Sequence, residues 1–182
     1  MPATIAKTTW KIDAAHSSAE FKVRHMMISY VKGELSGVSG VLELDDENYS
    51  RSTIEASIPV ATLRTGNDDR DVHLKAADFF DVEKFPVMTF KSKNIRSLGG
   101  NDYAVAGDLT IRGVTKSITL TVADVSKPII DPWGNARLGL SCAAKINRKD
   151  FGLLWDTLLE AGGAVLGDEV TITLDVEFTK DK

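Results

Sequence analysis

The residues of this chain whose types could do chemistry are few. They are three histidines, His16, His25 and His73; the run Asp69, Arg70, Asp71; the serines Ser17 and Ser18 directly after His16; and the arginines Arg70, Arg112 and Arg148. None of the histidines falls in an HxH, HExxH or His–Cys spacing that would hold zinc. A serine next to a histidine in the chain is not a triad, which needs a base and an orienting group placed in space. Carboxylates beside a guanidinium, as at Asp69–Asp71, could supply an acid, a base and an anion clamp. The same charges in a first helical turn cap it and pair locally, and no nucleophile accompanies them. The enzymatic reading that these residues leave open is an isomerase or hydrolase with His16 or His73 as base and Asp71 as its partner. An arginine at the rim of a pocket would instead grip a phosphate or carboxylate through parallel N–H donors.

The elements that must position these groups are mostly strands. Ile54, Ala56, Ile58 and Val60 alternate with Thr53, Glu55 and Ser57 at the two-residue period of a half-buried strand. The same alternation places Tyr103, Val105, Gly107, Leu109 and Ile111 on one face, then Ile118, Leu120 and Val122. It continues through Leu138, Leu140, Cys142, Ala144 and Ile146, and through Val170, Ile172, Leu174, Val176 and Phe178. Ala19 to Val31, Glu34 to Leu44 and Val87 to Ile95 complete a count of eight strands. In the first of these the apolar phase switches from Phe21 and Val23 to Met26, Ile28 and Tyr30, which predicts a bulge near His25. One short helix is expected at about residues 68–77, capped by Asn67 or Asp68. A second irregular segment, at about residues 151–160, reads as a short helix or an apolar loop.

Eight sequential antiparallel strands, each with one apolar face, bury those faces best by closing into a barrel, which also removes exposed edges. Such a barrel is just wide enough to be filled by side chains or to hold one small ligand. The small inward residues Ala56, Gly107, Cys142 and Ala144 favour a cavity, so that enlarging Gly107 or Ala144 to Phe is expected to fill it. A filled barrel with a structural or partner-binding role is the competing expectation. Phe79, Phe80, Phe85, Phe90, Phe151, Leu153, Leu154, Trp155, Leu158 and Leu159 lie on or beside irregular segments and suit an apolar gate, with Gly162, Gly163 and Gly167 lending it freedom.

A length of 182 residues with 43% hydrophobic and 26% charged content fits one ordinary globular domain. The net charge of −4, from 22 basic and 26 acidic residues, gives no reason to expect nucleic acid as a partner. The first residues lack an uninterrupted apolar run of the length a secretory signal needs, and a single cysteine, Cys142, excludes an internal disulfide. Together these lead to an expectation of a cytoplasmic protein.

Five motifs occur in order along nearly the whole chain: WKIDAAHS at Trp10 to Ser17, FKVRHM at Phe21 to Met26, RDVHLKAADFFDVEKFP at Arg70 to Pro86, GDLTIRGVT at Gly107 to Thr115, and INRKDFG at Ile146 to Gly152. In this combination the chain closely resembles the YceI family. The resemblance implies an all-β fold, an extended eight-stranded antiparallel lipocalin-like barrel. It also implies a tubular pocket for a long-chain amphiphile such as a polyisoprenoid, an isoprenoid quinone or a fatty-acid derivative, with no catalytic residue, metal or other cofactor. The expected function is that of a non-enzymatic lipid carrier or store. Transient membrane contact and a homodimer are expected as partners. The pocket and gate are assigned to Phe21, Ile58, Phe80, Phe90, Val105, Gly107, Leu109, Leu140, Cys142, Ala144, Leu154 and Trp155. The ligand's head group is assigned to Arg70, His73 and Arg112.

Overall fold

Period-two alternation leaves each strand with one wet and one dry face, and the chain satisfies every dry face by wrapping its sheet into a ring. The computed structural model describes residues 6–156 and 165–182. Among them run β1 (Thr8–Ile12), β2 (Ser18–His25), β3 (Ser29–Leu35), β4 (Ser39–Leu44) and β5 (Thr53–Pro59). The helix α1 (Asp68–Lys75) follows, then β6 (Val87–Gly99), β7 (Asp102–Ile111), β8 (Val114–Ala123), β9 (Ile129–Ile130), β10 (Ala136–Asn147) and β11 (Leu166–Lys180). Hydrogen-bonded neighbours run β11-β1-β4-β5-β6-β7-β8-β10, and β10 pairs back onto β11 from Arg137↔Thr179 to Asn147↔Glu169, which closes an eight-stranded antiparallel barrel.

Two staves of this barrel are broken in the middle. Along β11, Phe178 to Lys180 pair with β1, whereas Val170 to Asp175 pair with β2, so β2 takes over from β1 after the short 3-10 turn Ala14–His16. β3 and β4 share the next stave, separated by a kink at Gly37 (φ 72), a left-handed backbone that glycine adopts without strain. Among the described residues, the outer edge of β3 pairs at one bridge, where Glu34 and Arg64 exchange two backbone hydrogen bonds of 2.9 Å each.

The expected strand from Ala19 to Val31 is in fact a hairpin. β2 pairs with β3 from Ala19↔Leu35 to His25↔Ser29, and the chain reverses at Met26 to Ile28. The switch in apolar phase is therefore a change of strand, the register irregularity opposite His25 lies on β11 between Leu166 and Val170, and the first strand of the barrel begins earlier, at Thr8. The helix lies close to its expected place: the Asn67 side chain accepts a hydrogen bond from Arg70 N, and the helix stops where Ala76 turns extended at ψ 169. Of the second irregular segment, Arg148–Phe151 forms a 3-10 turn ended by Gly152 in the left-handed region, and residues 153–156 are irregular. Leu158, Leu159, Gly162 and Gly163 lie outside the described residues.

The two ends of the barrel differ. One is plugged by Trp10 and Phe178 packed with Leu42, Leu44, Leu138 and Val176. Arg137 braces this end: Nη1 donates to Asp13 Oδ2 at 2.7 Å and to Glu177 Oε1 at 2.6 Å, and Nε donates to Asp131 Oδ2 at 2.7 Å. The guanidinium holds Asp131 well below the usual carboxylate range, and with His16 it lowers Asp13 to about 2. A second pair, Arg51 on buried Asp45 at 2.6 Å, fixes the β4–β5 connection and lowers that carboxylate to about 2.

At the opposite end stand α1, the β2–β3 and β7–β8 turns and the segment after β10. Arg148, fully buried, donates to four carbonyls there: Gly167 at 2.8 Å, Leu153 at 2.6 Å, Trp155 at 2.7 Å and Leu166 at 3.2 Å. Burial pushes its pKa down, and Asp156 and Asp168, 3.5 and 3.6 Å away, act against that. These acceptors belong to stretches with little ladder pairing of their own, so the guanidinium supplies donors that strands supply elsewhere.

Two outcomes follow from the arginines. Arg148→Met leaves four carbonyls without their donor, and urea denaturation should show a loss on the order of 3–5 kcal/mol. For Arg137 the expectation concerns pH. Asp13 and Asp131 have depressed pKa values in the folded state, so their contribution is complete above the ordinary value of about 4 and is lost as pH falls, through about 2 for Asp13 and lower still for Asp131. Urea titrations at pH 7, 4 and 2 should show stability falling over the lower interval in the wild type. In Arg137→Met the midpoint at pH 7 should drop and the acid decline should flatten.

Candidate functional site

The inward set of side chains does not fill the barrel. It encloses a cavity of about 400 Å³, within the range of small-molecule sites, which extends from His73 and Trp155 at the open end to Tyr49 and Tyr103 toward the plugged one. Strand phase decides its wall. β7 contributes Val105 and Leu109, β10 contributes Leu140 and Cys142, and β11 adds Ile172 and Leu174. Phe21, Ile58 and Phe90 line it from β2, β5 and β6, and Phe80 reaches it from the loop after α1. Trp155 closes the open end edge-on to His73, with ring centroids 5.1 Å apart.

Four of the residues assigned from the sequence lie elsewhere. Gly107 faces inward, but the space beside its Cα is occupied: a Cβ there would lie 2.4 Å from Lys91 O and 2.6 Å from Phe90 Cζ. A phenylalanine at that position would therefore part β6 from β7 instead of filling the interior. Ala144 shares the phase of Cys142 and Ile146 without reaching the cavity, and Leu154 is turned to solvent. Arg112 occupies the tight β7–β8 turn at φ 50, donates from Nη2 to Ala77 O at 3.0 Å and lies over the Phe85 ring. The cavity thus owes little to glycine. Its openness comes from the girth of eight staves and from medium-sized aliphatic side chains at mid-height.

Arg70, His73 and Arg148 stand on the wall toward the open end, whereas the polar groups of Tyr49, Ser52 and Tyr103 lie toward the plugged one. Arg70 donates from Nε to Thr65 Oγ1 at 2.7 Å and from Nη2 to Thr65 O at 2.8 Å, which leaves Nη1 without a partner among the described residues. Asp71 accepts from the Thr65 backbone N–H and hydroxyl, so Thr65 ties this stretch of the helix to the loop before it. His73 borders the cavity while its Nε2 lies 2.9 Å from Asp78 Oδ2. Arg148 also borders the cavity, but its donors are engaged by the four carbonyls and it is a brace for the mouth.

The catalytic combinations considered from the sequence are not assembled. His16 lies at the plugged end with Asp13, far along the barrel from His73, and Asp71 bonds Thr65 rather than a histidine. Ser17 Oγ donates to Asp13 O and accepts from Glu177 N, which binds the turn into the sheet. Asp13, His16 and Glu177 bring ligand atoms within 4.8 Å of one another, but Arg137 Nη1 already donates to both carboxylates. Burial pushes the Cys142 thiol up to about 11, so it is protonated at neutral pH and behaves as a small apolar wall residue.

The brace at Arg137 and the wall residues Tyr49 and Leu174 were not assigned roles from sequence. Leu174 was legible in the alternation of its strand. Tyr49 sits in a short 3-10 turn, Tyr49–Arg51, with no period to reveal its direction.

Known proteins share this architecture. A UPF0312 protein of Staphylococcus aureus is 36% identical over 174 residues, which cover 94% of this chain and 98% of the relative. Among solved structures, Burkholderia cenocepacia BcnA superposes with a TM-score of 0.79 at 23% identity, over 91% of this chain and 98% of that one. The Campylobacter jejuni YCEI protein gives a TM-score of 0.71 at 28% identity, over 88% of this chain and 91% of its own. A polyisoprenoid binding domain from Saccharophagus degradans gives 0.68 at 16% identity, over 96% and 99%. The model of the YceI-like domain matches residues 10–178, and this chain belongs to that family.

Proposed function

We propose that the barrel binds a long-chain amphiphilic lipid, a polyisoprenoid, isoprenoid quinone or fatty-acid derivative, and carries or stores it without altering it. The observation that carries this reading is the apolar cavity of about 400 Å³, plugged at one end by Trp10 and Phe178 and bordered at the other by Arg70 and His73. A chain inserted from the open end meets aliphatic and aromatic walls along its length, and its polar end stays beside the guanidinium and imidazole. The Saccharophagus degradans domain of similar fold is described as polyisoprenoid binding, which supports the same class of ligand. Burial of each methylene contributes roughly 0.8 kcal/mol, so about fifteen carbons give on the order of 10 kcal/mol before ordering is subtracted. Micromolar affinity needs about 8 kcal/mol, which places it within reach of the tail with modest help from the head.

The enzymatic alternative has less support, because His73 is paired with Asp78 rather than with Asp71 and the thiol on the wall is held neutral. Native mass spectrometry of gently purified protein, with extraction of what is released, tests the proposal. A lipid bound one to one and chemically unchanged is the expected result. Turnover of that lipid, lost in His73→Ala, would replace the carrier with an enzyme. Leu140→Trp, which extends a wall side chain into the cavity, should keep the circular dichroism of the parent and lower geranylgeraniol affinity at least about tenfold. Unchanged affinity in the folded variant would remove the cavity as the site. Arg70→Ala should weaken geranylgeranyl phosphate by about tenfold and leave geranylgeraniol unaffected, as expected for a charge-assisted contact to the head alone.

A further inference from the structure

We infer that the rim of the open end docks reversibly on a lipid bilayer, with the Met26–Ile28 turn entering first. The inference rests on the reading of the cavity as a lipid-chain site and adds the surface through which the chain arrives. The rim carries large apolar side chains in water: Ile28 is 78% exposed, Met27 54%, Val72 72% and Leu154 64%. They surround one opening. Met26 N donates to Val165 O at 2.7 Å, Arg148 joins Leu166 to Leu153 and Trp155, and Trp155 packs on His73, the neighbour of Val72 on α1.

The chemistry of the turn is unusual for a solvent-exposed hairpin. Met26 (φ 50) and Met27 (φ 60) both take left-handed backbone, for which Asn and Gly are the ordinary choices. Apolar residues stand there despite the strain and despite their exposure, as expected where a segment meets a nonpolar medium. One step back from the tip, the exposed Tyr30 lies under Arg24 at 4.8 Å and Lys22 at 5.2 Å. Aliphatic tip, then tyrosine and cations, is the order in which side chains match the acyl region and headgroup layer of a membrane surface. No helix among the described residues is long and apolar enough to cross a membrane.

A second apolar set, Ile129, Ile130 and Trp133, projects elsewhere. It stands on the loop that Asp131 and Arg137 brace at the plugged end, away from the opening. It provides the internal control. The full chain is sedimented with vesicles of phosphatidylcholine containing a minor fraction of phosphatidylglycerol. Met27→Asp/Ile28→Asp should partition at least about tenfold less than the wild type, and Trp133→Ser should match the wild type. Geranylgeraniol uptake from dilute solution should be unchanged in both variants, whose substituted positions do not line the cavity, while uptake from vesicles should slow in the double variant alone. A wild type that stays in the supernatant, equal partition of the double variant, or loss in Trp133→Ser would overturn docking at this rim. A dimer that dissociates in the double variant, with no vesicle binding by the wild type, would assign the turn to a second copy and overturn it as well. Failure of the wild type to bind geranylgeraniol in solution would fall on the chain-site reading instead, with vesicle partition still deciding the docking.

Discussion

Closure of the sheet between β10 and β11 is the constraint on which everything else depends. The pairs from Arg137↔Thr179 to Asn147↔Glu169 join the late strands and leave one set of side chains an interior with no exit except the ends. Period-two alternation then stops being a local preference and becomes a rule of place, since a one-residue slip along this ladder would turn Leu138, Leu140 and Cys142 outward together. The girth set by eight staves exceeds what those side chains fill, and the cavity is the remainder.

Arginine serves the two ends in different ways. At the plugged end Arg137 collects three carboxylates from the Asp13 turn, the Asp131 loop and β11, so charge attraction holds pieces distant in sequence at fixed spacing. At the open end Arg148 collects backbone carbonyls from the irregular segment after β10 and from the sparsely paired start of β11. The first arrangement makes a floor out of opposite charges. The second gives an irregular rim the hydrogen bonds that regular structure would have provided, and leaves the apolar side chains of that rim facing out.

Much of this was legible in the residues. The walls contributed by Val105, Leu109, Leu140 and Cys142 follow from alternation alone, and α1 from its Asn67 cap and early acids. What escaped had physical reasons. Met-Met-Ile carries no turn residue, so counting by twos ran through the β2–β3 reversal as though it were one strand. Gly107 looked like a void because a missing side chain says nothing about which neighbour moves into its place, and here it is the Phe90 ring. Arg137 carried no signal and Arg148 was read only as one candidate for gripping an anion at the rim, since their acceptors are gathered from separate segments whose approach only the closed barrel defines.

The bridge between Glu34 and Arg64 has a mechanical consequence. Elsewhere the staves adjoin through ladders of three or more paired residues, but among the described residues the outer edge of β3 is joined by this one bridge, its two backbone hydrogen bonds of 2.9 Å backed by Ser36 and Thr62 just beyond the strand. Parting the two hydrogen bonds of the bridge forfeits roughly 1–3 kcal/mol, to which the packing of Leu35 and Val38 on Leu63 adds. The barrel therefore has a base closed by ladders and salt bridges and a collar whose girth, among the described residues, is least constrained by hydrogen bonding where β3 meets the Arg64 segment.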